Sequence, residues 1–287
     1  MGRDVKPRES LARRPANYAL AALAAGVALM GGALAAQGPF PLPGAPHVML
    51  RWYPASAEGP RPVVVALHGC GGLTTRGTLD ARYVEYAARW NAAGWHVLLP
   101  DSFSARGKAS ICREPRGQRS VTVAMRRDDV NAALAWVARQ PEVDPQRVAL
   151  VGWSNGGSTV LRTIDDPGWT VAPVAAVAFY PGCRDSIRRK DYAPAVPLLM
   201  LVGALDDWTP AASCEALAHQ VHTTPGAPLE LIVYPDSYHG FDGTAAVRRR
   251  TDIHNGVDRG GVHVGGNPEA RADSLRQTDH FLHQYLD

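Results

Sequence analysis

The chain has 287 residues, 46% hydrophobic and 20% charged. Those are the proportions of a globular protein with a sizeable core, and they exclude a disordered or fibrous chain. The net charge of +3 resides in residues 1–36, where five basic side chains face two acidic ones, leaving 25 of each sign in the remainder; no basic field is left for a phosphate backbone, so nucleic acid is not an expected partner.

Residues 1–36 read as an export leader. Arg13 and Arg14 precede an apolar run from Tyr18 to Ala36, and Ala33-Leu34-Ala35 supplies an A-x-A cleavage pattern. Arg13-Arg14 is shared with twin-arginine signals, but Pro15-Ala16-Asn17 departs from the residues usual after that pair, so ordinary export and cleavage are expected. An uncleaved anchor is the alternative, since 19 residues just span a bilayer. Either way the domain is expected to be periplasmic or secreted, touching a membrane only through the leader. Residues 37–46, rich in Pro and Gly, read as a linker, and residues 47–287 as one domain.

Within that domain, His47–Pro54 alternates faces, with Val48, Leu50 and Trp52 on one side, as in a half-exposed antiparallel strand. Val63–Leu67 is an unbroken apolar run, a buried strand that ends in the Gly-rich loop His68-Gly69-Cys70-Gly71-Gly72. A helix follows over 82–93, a strand over Trp95–Pro100, a long loop from Asp101 to Ser120, and a helix carrying Val123, Val130, Leu134 and Val137 that Pro141 stops. Strand Val148–Gly152 leads into a short helix reaching Ile164. Further strands are expected at Val174–Tyr180, Leu198–Val202 and Leu229–Tyr234, and helices at Ala211–His222 and Asp273–Leu286. Gly243–Glu269 is polar and rich in Arg and Gly, and no element is assigned to it. Strands alternating with helices give an α/β fold, a mostly parallel central sheet with helices on both faces, whose ligands gather at the carboxyl ends of the strands.

The chemistry lies in those loops. Gly152-Trp153-Ser154-Asn155-Gly156 matches G-x-S-x-G between a strand and a helix, the setting in which a sharp turn lifts a serine oxygen clear of the sheet. A serine hydroxyl needs a base to take its proton, and the base needs an acid to orient it. Asp206 and His239 come later in that order, each just past a strand. Asp207 is expected to cap the helix near Ala211. The backbone N–H groups of Asn155 and Cys70 are the candidate oxyanion donors. His68 reads as a structural hydrogen-bonding residue, and His219, His222, His280 and His283 as surface or packing residues on helices. No metal or cofactor is expected: Gly69–Gly72 forms neither G-x-G-x-x-G nor a P-loop, and Cys70, Cys112, Cys183 and Cys214 form no C-x-x-C. Four cysteines in an exported chain suggest disulfides, with three pairings open and four buried thiols as the alternative.

These pieces, with Pro100-Asp101-Ser102-Phe103, Arg106-Gly107, Phe179-Tyr180-Pro181-Gly182-Cys183, Gly203 to Pro210 and Tyr234 to Phe241, resemble the dienelactone hydrolase family of the α/β-hydrolase fold. The resemblance covers the chain from about residue 47 onward. It implies a serine-dependent hydrolase of small-molecule carboxylic esters or lactones that works through an acyl-enzyme. The founding members carry a cysteine where this chain has Ser154, so dienelactone itself is not the expected substrate. Through that topology the pairings Cys70–Cys112 and Cys183–Cys214 are implied. Loop position nominates Trp153, Trp208, Phe103, Tyr180 and Arg106 for the substrate pocket, with Arg106 the candidate to grip a carboxylate. The rival readings are an exported peptidase or polyester depolymerase on the same fold, and a non-catalytic binding module. Oligomeric state is not legible in the sequence.

Overall fold

The computed structural model describes Met1 and residues 36–287, apart from residues 57, 166–167 and 223–225. The leader expected over residues 1–36 thus lies, except for its two ends, outside the described residues. Strands and helices alternate as β1 (Gln37–Leu42), β2 (Ala45–Tyr53), β3 (Arg61–Leu67), the two-residue β4 (Thr74–Thr75) and β5 (Thr78–Leu79), α1 (Ala81–Ala92), β6 (His96–Asp101), α2 (Val123–Val137) and β7 (Val143–Trp153). Then come α3 (Asn155–Asp165), β8 (Ala175–Phe179), the one-turn α4 (Arg184–Ile187), β9 (Leu198–Gly203), α5 (Ala211–His222), β10 (Leu229–Tyr234), β11 (Arg248–Arg250), β12 (Val262–Val264) and α6 (Pro268–Leu286).

The main sheet has eight strands in the order β1-β2-β6-β3-β7-β8-β9-β10. Neighbours from β6 through β10 are parallel, while β2 runs antiparallel to both β1 and β6. The apolar run at β3 is unbroken because both its faces are covered. Val63, Val65 and Leu67 pack with Val130 and Leu134 of α2, Val160 of α3 and Leu217 of α5. Val64 and Ala66 pack on the other side with Tyr86 and Trp90 of α1 and Phe281 and Leu282 of α6. Full burial of such side chains contributes about 1.5–3 kcal/mol each.

Caps set the helix ends. Asp80 accepts the Arg82 N–H at 3.0 Å and Thr122 accepts that of Met125 at 3.2 Å, contacts worth about 1 kcal/mol apiece. At α6, Asn267 accepts the amides of Glu269 and Ala270 with Pro268 at the first helical position. The helix therefore starts well before the expected Asp273.

Two other stretches differ from expectation. The supposed linker at residues 37–46 holds β1 and the start of β2. Its prolines, Pro39 and Pro41, are tolerated because β1 is an edge strand, where a missing N–H leaves no ladder partner stranded. The stretch after Gly243, to which the sequence assigned no element, carries the antiparallel pair β11–β12, three residues per strand, too short to show a pattern. Both disulfides implied by the resemblance are present, Cys70–Cys112 and Cys183–Cys214. Among the described residues no helix is long and apolar enough to cross a membrane.

Candidate active site

Strand β7 ends at Trp153, and the chain turns at Ser154 with φ +54° before α3 begins. That backbone conformation costs a non-glycine residue on the order of 1–3 kcal/mol and is held by close packing. A Cβ on Gly152 would lie 2.4 Å from the Gly156 carbonyl oxygen, and one on Gly156 would lie 2.1 Å from that of Leu67. Only hydrogen fits at either position, so the motif's glycines let α3 press against the ends of β7 and β3. The Ser154 N–H donates to the Phe179 carbonyl at 2.9 Å, fixing the turn from the β8 side.

Asp206 follows β9 and His239 follows β10, and the two loops are joined by the Leu205 N–H donating to the Ser237 carbonyl at 3.0 Å. Asp206 Oδ1 accepts the amides of Trp208 and Thr209 at 2.9 and 2.8 Å. Its Oδ2 faces His239 Nδ1 at 2.8 Å, and His239 Nε2 lies 2.9 Å from Ser154 Oγ. The Thr209 hydroxyl sits beside this pair, 2.9 Å from Asp206 Oδ2 and 3.1 Å from the Tyr180 carbonyl, to either of which its one hydrogen donates. The imidazole is 5% exposed and lies between the rings of Tyr180 and Trp208, at 4.6 and 4.7 Å. With Nδ1 holding its hydrogen toward a carboxylate, Nε2 is left to accept the serine proton.

The Gly-rich loop after β3 passes against the serine, since a Cβ on Gly69 would lie 3.6 Å from that of Ser154. Arg126 of α2, fully buried, braces this loop and the start of α3 together. Its Nη1 donates to Asn155 Oδ1 at 2.6 Å and its Nη2 to the His68 carbonyl at 2.8 Å. Burial lowers the pKa of this guanidinium to about 10, still charged at neutral pH. His68 bridges the Gly69 carbonyl and the Ser102 amide through its two nitrogens, at 2.8 and 3.3 Å.

Behind the histidine loop, Asp242 is 3% exposed. It accepts hydrogen bonds from Tyr180 at 2.6 Å, Trp153 Nε1 at 3.0 Å and Tyr86 at 3.3 Å, and Arg82 Nε lies 3.0 Å away. Burial, above all, pushes both phenols well up in pKa, so each stays a donor. Sequence reasoning missed Asp242 and Arg126, because neither sits in a motif. Asp207 is not a helix cap as expected: it accepts the His263 amide at 2.8 Å and lies 2.7 Å from His263 Nδ1, tying β12 to the acid loop.

Two cavities meet at Ser154. One, of about 520 Å3, is bordered by Asn155, Ser158, Trp208 and the arginines 116, 119, 162 and 189. The other, of about 580 Å3, is bordered by Cys70, Trp153, Tyr180, Trp208, His239 and the segment from Asp242 to Ala246. Withdrawal from water and the neighbouring Arg184 lower the pKa of Arg116; withdrawal from water and Arg116 do the same for Arg119. Arg119 Nε is buried without a hydrogen-bond partner. Arg162 and Arg189 share Asp165 as an ion-pair partner.

Two expected pocket residues are elsewhere. Arg106 is committed to a two-pronged pair with Asp129, 2.7 Å at each contact, and borders neither cavity. Phe103 is 1% exposed and packs edge-on against His68 at 4.5 Å. Of the other three, Trp208 borders both cavities, whereas Trp153 and Tyr180 border the larger while anchoring on Asp242.

The family model described as the dienelactone hydrolase family matches residues 50–286. The quorum-quenching protein AidA of Acinetobacter baumannii is 26% identical over 189 residues, which is 66% of this chain and 58% of that protein. A probable dipeptidyl-aminopeptidase B of Colletotrichum graminicola is 35% identical over 144 residues, 48% of this chain but only 14% of its own. The chain thus spans less than two thirds of either relative. Among solved structures, esterase 2 of Thermogutta terrifontis, phosphoramylated by tabun, has the same fold, with a TM-score of 0.60 at 18% identity over 87% of this chain and 93% of its own.

Proposed function

The chain belongs to the dienelactone hydrolase family, and from that membership we propose that it is a serine-dependent carboxylic ester hydrolase working through an acyl-enzyme. The observation that carries this reading is the continuous chain of contacts from Asp206 through His239 to Ser154, 2.8 and 2.9 Å long.

In this reading Ser154 Oγ attacks the acyl carbon as His239 Nε2 takes its proton, and Asp206 stabilises the imidazolium. The oxyanion draws on the amides of Asn155 and Cys70, one bordering each cavity beside the serine. His239 then gives the proton to the departing alkoxide, and water, deprotonated by the same imidazole, releases the acid. Four arginines against the single carboxylate of Asp185 border the smaller cavity, an excess that favours an acid portion carrying a further negative charge, for which a guanidinium fork is the fitting donor.

The two disulfides support an oxidising compartment, and with it export by residues 1–36 as a cleaved leader, with the catalytic domain running from β1 to α6. The likeness to a peptidase favours one rival, cleavage of peptide bonds by the same three side chains. Matched p-nitrophenyl esters and p-nitroanilides decide between the two. We expect ester cleavage, and Ser154→Ala and His239→Ala should each lower kcat on the order of 10⁴-fold; full activity in either variant overturns the assignment.

A further inference from the structure

His239 must protonate the departing alcohol, so the alcohol leaves on the side of Ser154 that the imidazole faces. His239 borders the cavity of about 580 Å3 and not the one of about 520 Å3, whereas Ser158, one turn along α3 from the serine, borders only the latter. Two distinct spaces therefore adjoin the reacting atom. Each falls within the range of about 300–1,000 Å3 that accommodates a ligand of drug size. A lactone keeps its alcohol tethered to its acid and fills one such space. An open-chain ester with two sizeable halves fills both.

Building on the serine-hydrolase reading, we propose that the substrate is an open-chain ester divided at Ser154, with its acid half in the cavity of about 520 Å3 and a bulky alcohol, ring-sized or larger, in the cavity of about 580 Å3 that His239 borders. The Ser154 Oγ–acyl bond forms and the acyl–alkoxy bond breaks. The serine proton passes through His239 to the alcohol, which departs from the larger cavity while the acid half stays in the smaller. Water then adds to the acyl carbon, returns a proton through His239 to Ser154, and frees the acid.

This division has a kinetic signature. Whatever alcohol has left, the acyl-enzyme is the same, so the alcohol cavity acts on acylation and not on deacylation. The test uses the full chain and esters of one acid with alcohols of matched acidity and rising bulk, beside a lactone of that acid's chain length. With bulk, kcat/KM should rise by about tenfold or more, while the deacylation rate stays constant. Ala246, exposed at the border of the larger cavity, and Ala124, exposed at that of the smaller, accept tryptophan without disturbing the core. Ala246→Trp should erase the gain from bulky alcohols, lowering kcat/KM for them by about tenfold more than for the methyl ester. Ala124→Trp should slow both steps for large acids, whatever the alcohol. A lactone that outruns the esters, indifference to alcohol size, or the reverse pattern in the two variants overturns the division. If the native chain cleaves no ester or lactone at all, the serine-hydrolase reading itself falls.

Discussion

Arg126 reaches Asn155 from beneath the site, its Nη1 donating to the asparagine's Oδ1 at 2.6 Å while its Nη2 holds the His68 carbonyl at 2.8 Å. One guanidinium thus sets the spacing between the two segments whose amides are proposed to receive the oxyanion. Only a planar fork spans both acceptors, which a lysine's single nitrogen does not. Arg126→Met should lower kcat for ester hydrolysis by roughly 10–100-fold, short of the 10²–10³-fold typical of deleting an oxyanion donor, with a much smaller change in KM. Arg126→Lys should recover part of the loss. Equal effects on kcat and KM would assign the residue to general packing instead.

Asp242 gathers three hydrogen-bond donors and the Arg82 guanidinium at one buried carboxylate, and two of the donors, Trp153 and Tyr180, adjoin Ser154 and His239. Asp242→Asn keeps the shape but removes the charge and one acceptor position. Because Arg82 is partly exposed, the expected loss is about 2–4 kcal/mol in urea denaturation, at the lower end of a broken buried ion pair. An unchanged midpoint would show that the network contributes little.

Stability should fall in mild acid. Burial, and then the charge of Arg126, push the His68 imidazole down from 6.5 to about 3. Folded His68 therefore stays neutral where the unfolded chain takes up a proton. The stabilisation is complete above pH 6.5 and is lost as pH falls from there toward 3, at up to about 1.4 kcal/mol per pH unit. His96, also lowered by burial, adds in the same direction. Urea midpoints between pH 7 and 5 should slope less steeply in His68→Gln than in the native chain; equal slopes would contradict the account.

The two disulfides should answer differently to removal. Cys70–Cys112 ties the loop beside Ser154 to the segment that carries Arg116 and Arg119, whereas Cys183–Cys214 joins the start of α4 to α5. Each closes a loop whose release costs about 3–4 kcal/mol. Paired serine substitutions at Cys70 and Cys112 should lower kcat/KM as well as stability, while those at Cys183 and Cys214 should lower mainly stability. Equal loss of activity from both would remove the special position of the first pair.

Legibility in the sequence tracks the range of the forces involved. The strand–turn–helix around Ser154 is legible because its glycines are dictated by contacts a few residues apart, and the positions of Asp206 and His239 are set by the ends of strongly apolar strands. Arg106 is misleading because a loop arginine carries no record of its partner, and Asp129 waits on α2. Asp207 is misread for the same reason, its partner His263 lying in a stretch too irregular to place. The early start of α6 is a different case, since Asn267-Pro268 is a readable cap. Arg126 and Asp242 stand out only once folding has buried them.

Covalent labelling distinguishes a nucleophilic Ser154, activated by His239, from an inert serine. The full chain is treated with a fluorophosphonate, its intact mass is measured, and the adduct is mapped by peptide sequencing. One adduct should form on Ser154, with loss of ester hydrolysis in step, and neither Ser154→Ala nor His239→Ala should label at the native rate. An adduct at another residue, or undiminished hydrolysis by a chain fully labelled at Ser154, would contradict the account.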